Sequence, residues 1–362
     1  MTEAGSSGRT ESPVVSVVMP VRNEVAFIER SLSSILAQDY PMYQAELLVI
    51  DGMSEDGTRQ AVKGFVQRFS FIRLLDNPGR IVPTALNLAI RAARGRWLVR
   101  LDAHSIYPPD YLRLCVETAR RTGADNVGGV FITLPRDDSP QALLVQAITT
   151  SRFGVGNAEY RLNVGEGPAD TVPYGCFRRE VFAEIGPFDE RLVRNQDYEY
   201  NRRLVRAGKR IWLNPAIQVK YHNQATLGGL FRQAFGTGKW NPWVWFVAPY
   251  AFAPRHAVPG VFVLALLGTT GLTACVPWGW VTLAAILTSH MVLALRASLQ
   301  QARRVGFKLL PFLPLLFFAY HASYGLGTLW GALRLLTGAT PVQKIREPWS
   351  GAGRYRAWPK KG

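Results

Sequence analysis

Cysteine is scarce in this chain of 362 residues. Cys115, Cys176 and Cys275 show none of the paired or metal-binding spacings that mark a disulfide framework or a zinc site. Carboxylates are few as well: 26 Asp and Glu against 42 Lys and Arg leave a formal charge of +16. No nucleic-acid motif accompanies that charge, so no nucleic-acid partner is expected. Attraction to anionic lipid and phosphorylated substrates accounts for it better. Internal repeats and low-complexity tracts are missing too. The opening MTEAGSSGRTES, within an expected disordered segment 1–13, has no apolar signal region; this predicts that roughly the first two hundred residues stay in the cytoplasm.

Charge of either sign vanishes in two places. From Ala257 to Leu295 there is no Asp, Glu, Lys or Arg, and there is none again from Leu309 to Leu333. A helix crossing the hydrocarbon core needs roughly 20 apolar residues. The first stretch is long enough for two crossings that turn at Pro277-Trp278-Gly279, and the second for one, so residues 257–336 are expected to form about three membrane helices. Arg296, Arg303, Arg304 and Lys308 lie between the second and third, which places that loop in the cytoplasm and agrees with a cytoplasmic N-terminal domain. The expectation is a multi-pass protein of the inner (plasma) membrane. Three crossings would leave the basic tail, 337–362, outside and against the same rule. The segment His321-Ala-Ser-Tyr-Gly-Leu-Gly is therefore read as one that breaks and returns or lies in the interface.

What is present in the first 135 residues is a regular alternation of strand and helix signals. The apolar runs 14–20, 46–52, IRLLDN and RWLVRLDA read as buried strands, with helices between them and Asn23 capping the first. Runs this continuous suit a parallel sheet covered on both faces, so the fold class is α/β, a doubly wound Rossmann-like sheet binding ligands at the carboxyl ends of its strands. The catalytic domain is expected over 14–225, and a Trp-rich amphipathic collar over 226–256 is expected to lie at the headgroups, with Trp240, Trp243 and Trp245.

Several residues in this frame suit one chemistry. Asp51, at the end of the second strand, can accept a hydrogen bond from a base or ribose edge. Pro20-Val-Arg-Asn-Glu24 ends the first strand beside it, and Arg22 and Arg80 can meet phosphates. Asp102 and His104 alternate at the end of a further strand. A carboxylate and an imidazole suit Mn or Mg on a diphosphate, with His222 as a third ligand. Asp197, at the start of a helical pattern with Glu199, Arg202 and Arg203 to orient it, is the expected base. Asp51 or Asp56 shaping a turn, and Asp197 in a salt-bridge net, are the structural alternatives.

The ordered motifs PVRNE, DGMSEDGT, NPGRIVPTALNLAIRAARG, LDAH and NQDYEYNRRL resemble family 2 glycosyltransferases of GT-A fold over about residues 14–225. The C-terminal apolar region with HASYGLGTLWG is similar to the branch that serves succinoglycan-type exopolysaccharide synthesis. The resemblance implies that Asp51 contacts the base, that Asp102 and His104 bind ribose and metal–diphosphate, and that Asp197 is the base. His104 replaces the usual second Asp of the metal motif, and Gln196 the usual Glu before the base. Where processive members carry QxxRW this chain has RQAFGTGKW, which argues for adding a single sugar. The implied reaction is an inverting transfer of a sugar, glucose for preference, from a UDP-sugar to a lipid-linked saccharide at the membrane. Two other readings fit: a polyprenyl-phosphate sugar synthase, and a silent membrane scaffold that binds nucleotide-sugar.

Overall fold

The computed structural model describes residues 13–162 and 165–339, apart from the His222 side chain. The expected N-terminal segment 1–13, save Pro13, and nearly all of the tail 337–362 lie outside the described residues. In chain order the elements begin β1 (Val15–Val21), α1 (Ile28–Leu36), β2 (Ala45–Asp51), α2 (Thr58–Arg68), β3 (Ile72–Asp76), α3 (Val82–Ala92), β4 (Trp97–Arg100) and α4 (Tyr111–Thr122). They continue with β5 (Asn126–Leu134), α5 (Pro140–Thr149), α6 (Arg152–Val155), β6 (Gly167–Pro168), β7 (Cys176–Arg178), α7 (Val181–Glu184), α8 (Gln196–Arg206) and β8 (Ile211–His222). Four longer helices close the chain: α9 (Leu227–Val247), α10 (Pro254–Cys275), α11 (Gly279–Val305) and α12 (Leu313–Leu336). The chain divides into two compact units with a boundary inside the expected 14–225 domain: one runs to Gly128 and adds Tyr174–Phe188, the other holds Gly129–Pro173 and the chain from Asp189.

In the first unit the strands run in the order β3-β2-β1-β4-β7, with the start of β5 beside β7. β1, β2, β3 and β4 are mutually parallel, whereas β7 is antiparallel to both β4 and β5, so the sheet is mixed rather than wholly parallel. Leu47, Leu48, Val49 and Ile50 are fully buried along β2, which is why that run shows no alternation. Each such side chain contributes about 1.5–3 kcal/mol relative to an exposed one. At the amino end of β2 the buried Glu46 is consumed structurally, by Ser16 Oγ at 2.7 Å and the Arg94 N–H at 2.6 Å. Burial pushes the Cys176 thiol up to about 12 and raises Cys115 as well, which leaves both as inert core residues.

The second unit carries β5-β8-β6 and the helices from α8 onward. α10 and α11 are each long and apolar enough to cross a membrane, with mean hydropathy 1.8 and 1.5 and few buried residues in those windows. Broad exposure of Val258, Val261, Leu264, Leu267, Val292 and Leu293 is what a lipid-facing helix shows and a soluble core helix does not. α12 is the third helix of the expected set; it meets the length but not the apolarity of the other two. It is also unbroken through His321–Gly327, against the expected break. Its glycines serve packing instead: a methyl group on Gly327 or Gly331 would strike the Phe235 or Lys239 carbonyl of α9, so the two backbones approach closely.

The collar corrects a second expectation. Thr226 caps α9 by accepting the Gly229 N–H at 3.1 Å. Trp240 and Trp243 do not face outward: they are 9% and 2% exposed and pack with Leu192, Val244, Ala248 and Ala251. The outward aromatics are Phe246 and Phe252, with Trp245 packed on the latter.

Candidate active site

Parallel pairing of β1 with β2 sets Val21 opposite Asp51, so the loops that follow these strands are neighbours. They are laced together. The Asn23 N–H donates to Ser54 Oγ at 3.0 Å, the Glu24 N–H to Thr58 Oγ1 at 2.7 Å, and the Glu55 N–H to Asn23 Oδ1 at 3.0 Å. Asn23 adopts a left-handed φ of 55° to do this and does not cap α1, whose N-cap position is Phe27. Asp56 accepts the Thr58 N–H at 3.0 Å at the start of α2.

Asp51 is wholly buried at the end of β2. Its carboxylate accepts the Ser54 N–H and pairs with Arg59 Nη1 at 2.9 Å, while Arg59 Nη2 holds Asp76 at 2.6 Å. No motif in the sequence singles out Arg59, although eight residues beyond a strand-end Asp, on the next helix, is where such a partner falls. Pro20 is half-buried in β1. Arg22 is exposed and donates to the Arg80 carbonyl at 3.3 Å; Arg80, at φ 57°, extends to within 4.0 Å of Glu55. Pro20, Arg22, Glu24, Asp51 and Arg80 thus share the carboxyl edge of β1, β2 and β3.

β4 ends at Arg100, so Asp102 and His104 lie in the turn beyond the strand and not on it. Burial still alternates there, with Leu101, Ala103 and Ser105 inside and His104 outside. The turn is pinned by Tyr107, whose Oη accepts the Asp102 N–H at 2.7 Å and whose hydroxyl bond burial keeps protonated, with its pKa raised well above the ordinary range. Ser105 Oγ and Tyr174 Oη lie 2.9 Å apart behind it. Arg100 donates to Asp102 Oδ1 at 3.2 and 3.3 Å, which leaves Oδ2 without a hydrogen-bond partner among the described residues. His104 Nδ1 lies 3.4 Å from Glu24 Oε1. That carboxylate raises the imidazole pKa first of all, burial opposes it, and Asp102 adds to the rise. An open carboxylate oxygen and an imidazole nitrogen on one turn fit, in donor type, a divalent ion whose other ligands are phosphate oxygens and water. Among the described residues no group of three His, Cys, Asp or Glu is assembled, and the His222 side chain lies outside the described residues.

In the second unit Asp197 occupies the first turn of α8, exposed, after Asn195 at a left-handed φ of 61°. Its carboxylate accepts the Tyr198 N–H at 2.9 Å. The neighbours expected to orient it are engaged elsewhere. Glu199 and Arg203, one helical turn apart, form a buried pair at 2.7 Å, and the Tyr250 hydroxyl donates to Glu199 at 2.5 Å. Burial and the Glu199 charge push the Tyr250 pKa up, so it stays a donor. Arg202 faces Asp170 at 4.0 Å. Asn195 is tied instead to Asn241 of α9 at 3.2 Å, and Asn241 to Tyr324 of α12 at 2.9 Å. Neither asparagine carries a signal that singles it out in the sequence.

Comparison with known proteins agrees with this geometry. A family model described as glycosyl transferase family 2 matches residues 16–186. The succinoglycan biosynthesis protein ExoA of Rhizobium meliloti is 32% identical over 280 residues, 75% of this chain and 82% of the relative. A dolichyl N-acetyl-alpha-D-glucosaminyl phosphate 3-beta-D-2,3-diacetamido-2,3-dideoxy-beta-D-glucuronosyltransferase of Methanococcus voltae is 26% identical over 62% of this chain and 71% of the relative. Among solved structures, the mannosyltransferase PcManGT of Pyrobaculum calidifontis, in complex with GDP-Man and Mn2+, superposes with a TM-score of 0.57 at 22% identity, covering 90% of this chain and 87% of that one. The parallel strands, their knitted carboxyl-edge loops and a relative this similar over most of both chains lead to one conclusion: the protein belongs to glycosyltransferase family 2 and is a glycosyltransferase of GT-A fold.

Proposed function

We propose that the enzyme transfers one sugar, with inversion, from a nucleoside-diphosphate sugar to a lipid-linked saccharide at a membrane, in the synthesis of an exopolysaccharide or cell-surface glycan. The observation that carries the proposal is the state of Asp197. Its carboxylate is exposed and among the described residues holds only the adjacent N–H, whereas Glu199 two residues on is buried in a salt bridge. A base must be free to take a proton, and Asp197 alone on α8 meets that condition.

Asp51, held in place by Arg59, accepts hydrogen bonds from the base of the donor. Arg22 and Arg80 offer exposed guanidiniums for phosphate oxygens, and the Pro20–Glu24 loop frames them. Asp102 and His104 would hold a divalent ion; Mn suits the imidazole better than Mg, and the ion supplies charge neutralisation at the leaving diphosphate. Asp197 removes the proton from the acceptor hydroxyl as its oxygen bonds the anomeric carbon and the bond from that carbon to the diphosphate breaks. A single displacement converts an α-linked donor into a β-linked product. The activity in the name of the Methanococcus relative, a dolichyl phosphate sugar receiving a 3-β-linked residue, supports this acceptor class and this stereochemistry. Two membrane-length helices in the unit that bears Asp197 support a membrane location, with the catalytic residues on the cytoplasmic side, where nucleotide sugars are made.

The test is release of nucleoside diphosphate from a panel of UDP-, GDP- and dTDP-sugars, UDP-glucose first, by membranes containing the enzyme and lipid-linked acceptors, with Mn, Mg or chelator. Turnover of one donor that requires both a divalent ion and a lipid-linked acceptor is the expected result. Donor turnover that is indifferent to the acceptor would contradict the proposal.

A further inference from the structure

One turn behind Asp197, side chains that the reaction leaves unused gather around Asp170. Arg255 Nη1 donates to Asp170 Oδ2 at 2.7 Å, and Arg202 Nη1 lies 4.0 Å from the same oxygen, so one carboxylate faces two guanidiniums. The Tyr198 ring packs edge-on to His256 with centroids 4.9 Å apart and lies beneath the Arg255 guanidinium at 5.6 Å. Three polar atoms here are buried with no partner among the described residues: Tyr198 Oη, Arg202 Nε and His256 Nε2.

Two are donors outright, and His256 Nε2 is a third in the tautomer that carries its hydrogen there. Arg202 Nε carries a hydrogen at any working pH, and Tyr198 is a phenol. Asn241 Nδ2 donates to Tyr324 Oη at 2.9 Å, and Tyr324 Oη lies 3.1 Å from His256 Nδ1; when the phenol hydrogen goes to Nδ1, the ring hydrogen falls on Nε2. A buried donor without an acceptor costs about 1–3 kcal/mol. Tyr198 Oη and Arg202 Nε, with His256 Nε2 beside them and one carboxylate for two guanidiniums, describe a site whose anionic acceptor comes from outside the chain.

Position narrows the anion. Arg255 and His256 lie in the first turn of α10, whose remaining turns are apolar and exposed, which sets them at the polar end of a membrane-length helix. Tyr198 and Arg202 share a face of α8 and follow Asp197 by one and five residues, a rise along the axis of up to about 7.5 Å. That is comparable with the span of one sugar ring from a reacting hydroxyl to the phosphate on its anomeric carbon.

We propose that Tyr198, Arg202, Arg255 and His256 bind the phosphate or diphosphate that joins the acceptor saccharide to its lipid, holding the acceptor by its anionic bridge while its hydroxyl meets Asp197. This rests on the reading of Asp197 as base and of the acceptor as lipid-linked. The same chemistry is offered by a phospholipid headgroup, and the experiment separates the two sources.

Full-length protein in neutral detergent would be titrated with polyprenyl diphosphate, with polyprenol and with phosphatidylglycerol, bound lipid being counted by native mass spectrometry. Polyprenyl diphosphate is expected to bind at least tenfold more weakly to Arg202→Gln/Arg255→Gln than to the wild type, with Arg202→Lys/Arg255→Lys recovering part of the loss. Tyr198→Phe, which removes no charge, is expected to lose several-fold and serves if the double variant does not fold, folding being read from retained UDP-sugar binding. Asp197→Asn is expected to bind polyprenyl diphosphate as the wild type does, so a failure of Asp197 as base would appear in turnover alone. Equal binding of polyprenyl diphosphate by wild type and folded variants would overturn the proposal. So would an equal loss with phosphatidylglycerol, which would assign the site to a bilayer headgroup.

Discussion

Asp51 and Asp197 both fall within motifs read for chemistry, yet their surroundings are opposite. Asp51 is sealed at a strand end, paired with Arg59 and accepting the Ser54 N–H. Asp197 stands in the open on the first turn of a helix, holding one N–H of its own backbone. A carboxylate locked in charge-assisted hydrogen bonds is a fixed acceptor and a poor base; one left unpaired is the reverse. On the proposed reading the first unit of the chain carries preorganised recognition, and α8 of the second carries the proton transfer. Pairing, more than residue type, separates binding carboxylates from catalytic ones.

The largest effect expected from breaking this contrast is at Asp197. Asp197→Asn should lower kcat by about 10²–10⁴-fold, the usual worth of a general base, in a steady-state assay with saturating donor and acceptor. Glu199→Gln on the same helix would instead leave Arg203 buried beside a neutral amide, and should show mainly as a lower melting temperature. Next comes Asp51→Ala, which strips the Ser54 N–H and Arg59 of their partner. A loss of about 1–3 kcal/mol is expected from unfolding titrations, together with a raised KM for the donor and a kcat close to wild type. Gly331→Leu should separate α9 from α12 and cost about 1–3 kcal/mol by overpacking, read as a lower melting temperature in detergent with donor affinity intact.

The smallest effect is a pH dependence at the Asp102–His104 turn, the proposed metal site. Glu24 and Asp102 raise the His104 pKa, so its imidazole stays protonated to a higher pH than an ordinary histidine. Only the neutral ring is a ligand, and protons compete with the ion. Mn affinity should therefore fall as pH drops through the raised His104 pKa and recover above it. Glu24→Gln removes the main cause of the rise and should move the transition to lower pH; His104→Asn should flatten it. Mn titrations at several pH values, followed by donor turnover, check both.

Much of this arrangement is legible in the sequence. The strands β1 to β4 and helices α1 to α3 fall within a few residues of their expected places, because buried β-branched runs and amphipathic helices leave strong local periodicities. What failed depends on partners distant in sequence. Trp240 and Trp243 look like interfacial anchors until Leu192 and Ala251 cover them. The glycines of α12 look like breaks until the α9 carbonyls fill the space above them. Asp102 looks like a strand residue because the apolar run continues past Arg100, where pairing with β1 stops. The pairing of Glu199 with Arg203 was within reach, since four residues on a helix put both on one face.

The division of labour between the two carboxylates is tested most directly by measuring donor binding and turnover on one variant. Calorimetric titration of Asp197→Asn with the nucleotide sugar and Mn should give a Kd within about threefold of wild type, while single-turnover transfer on the same preparation falls by at least the hundredfold lower bound for a general base. Turnover near wild type, or a loss of donor affinity that matches the loss of turnover, would contradict the account.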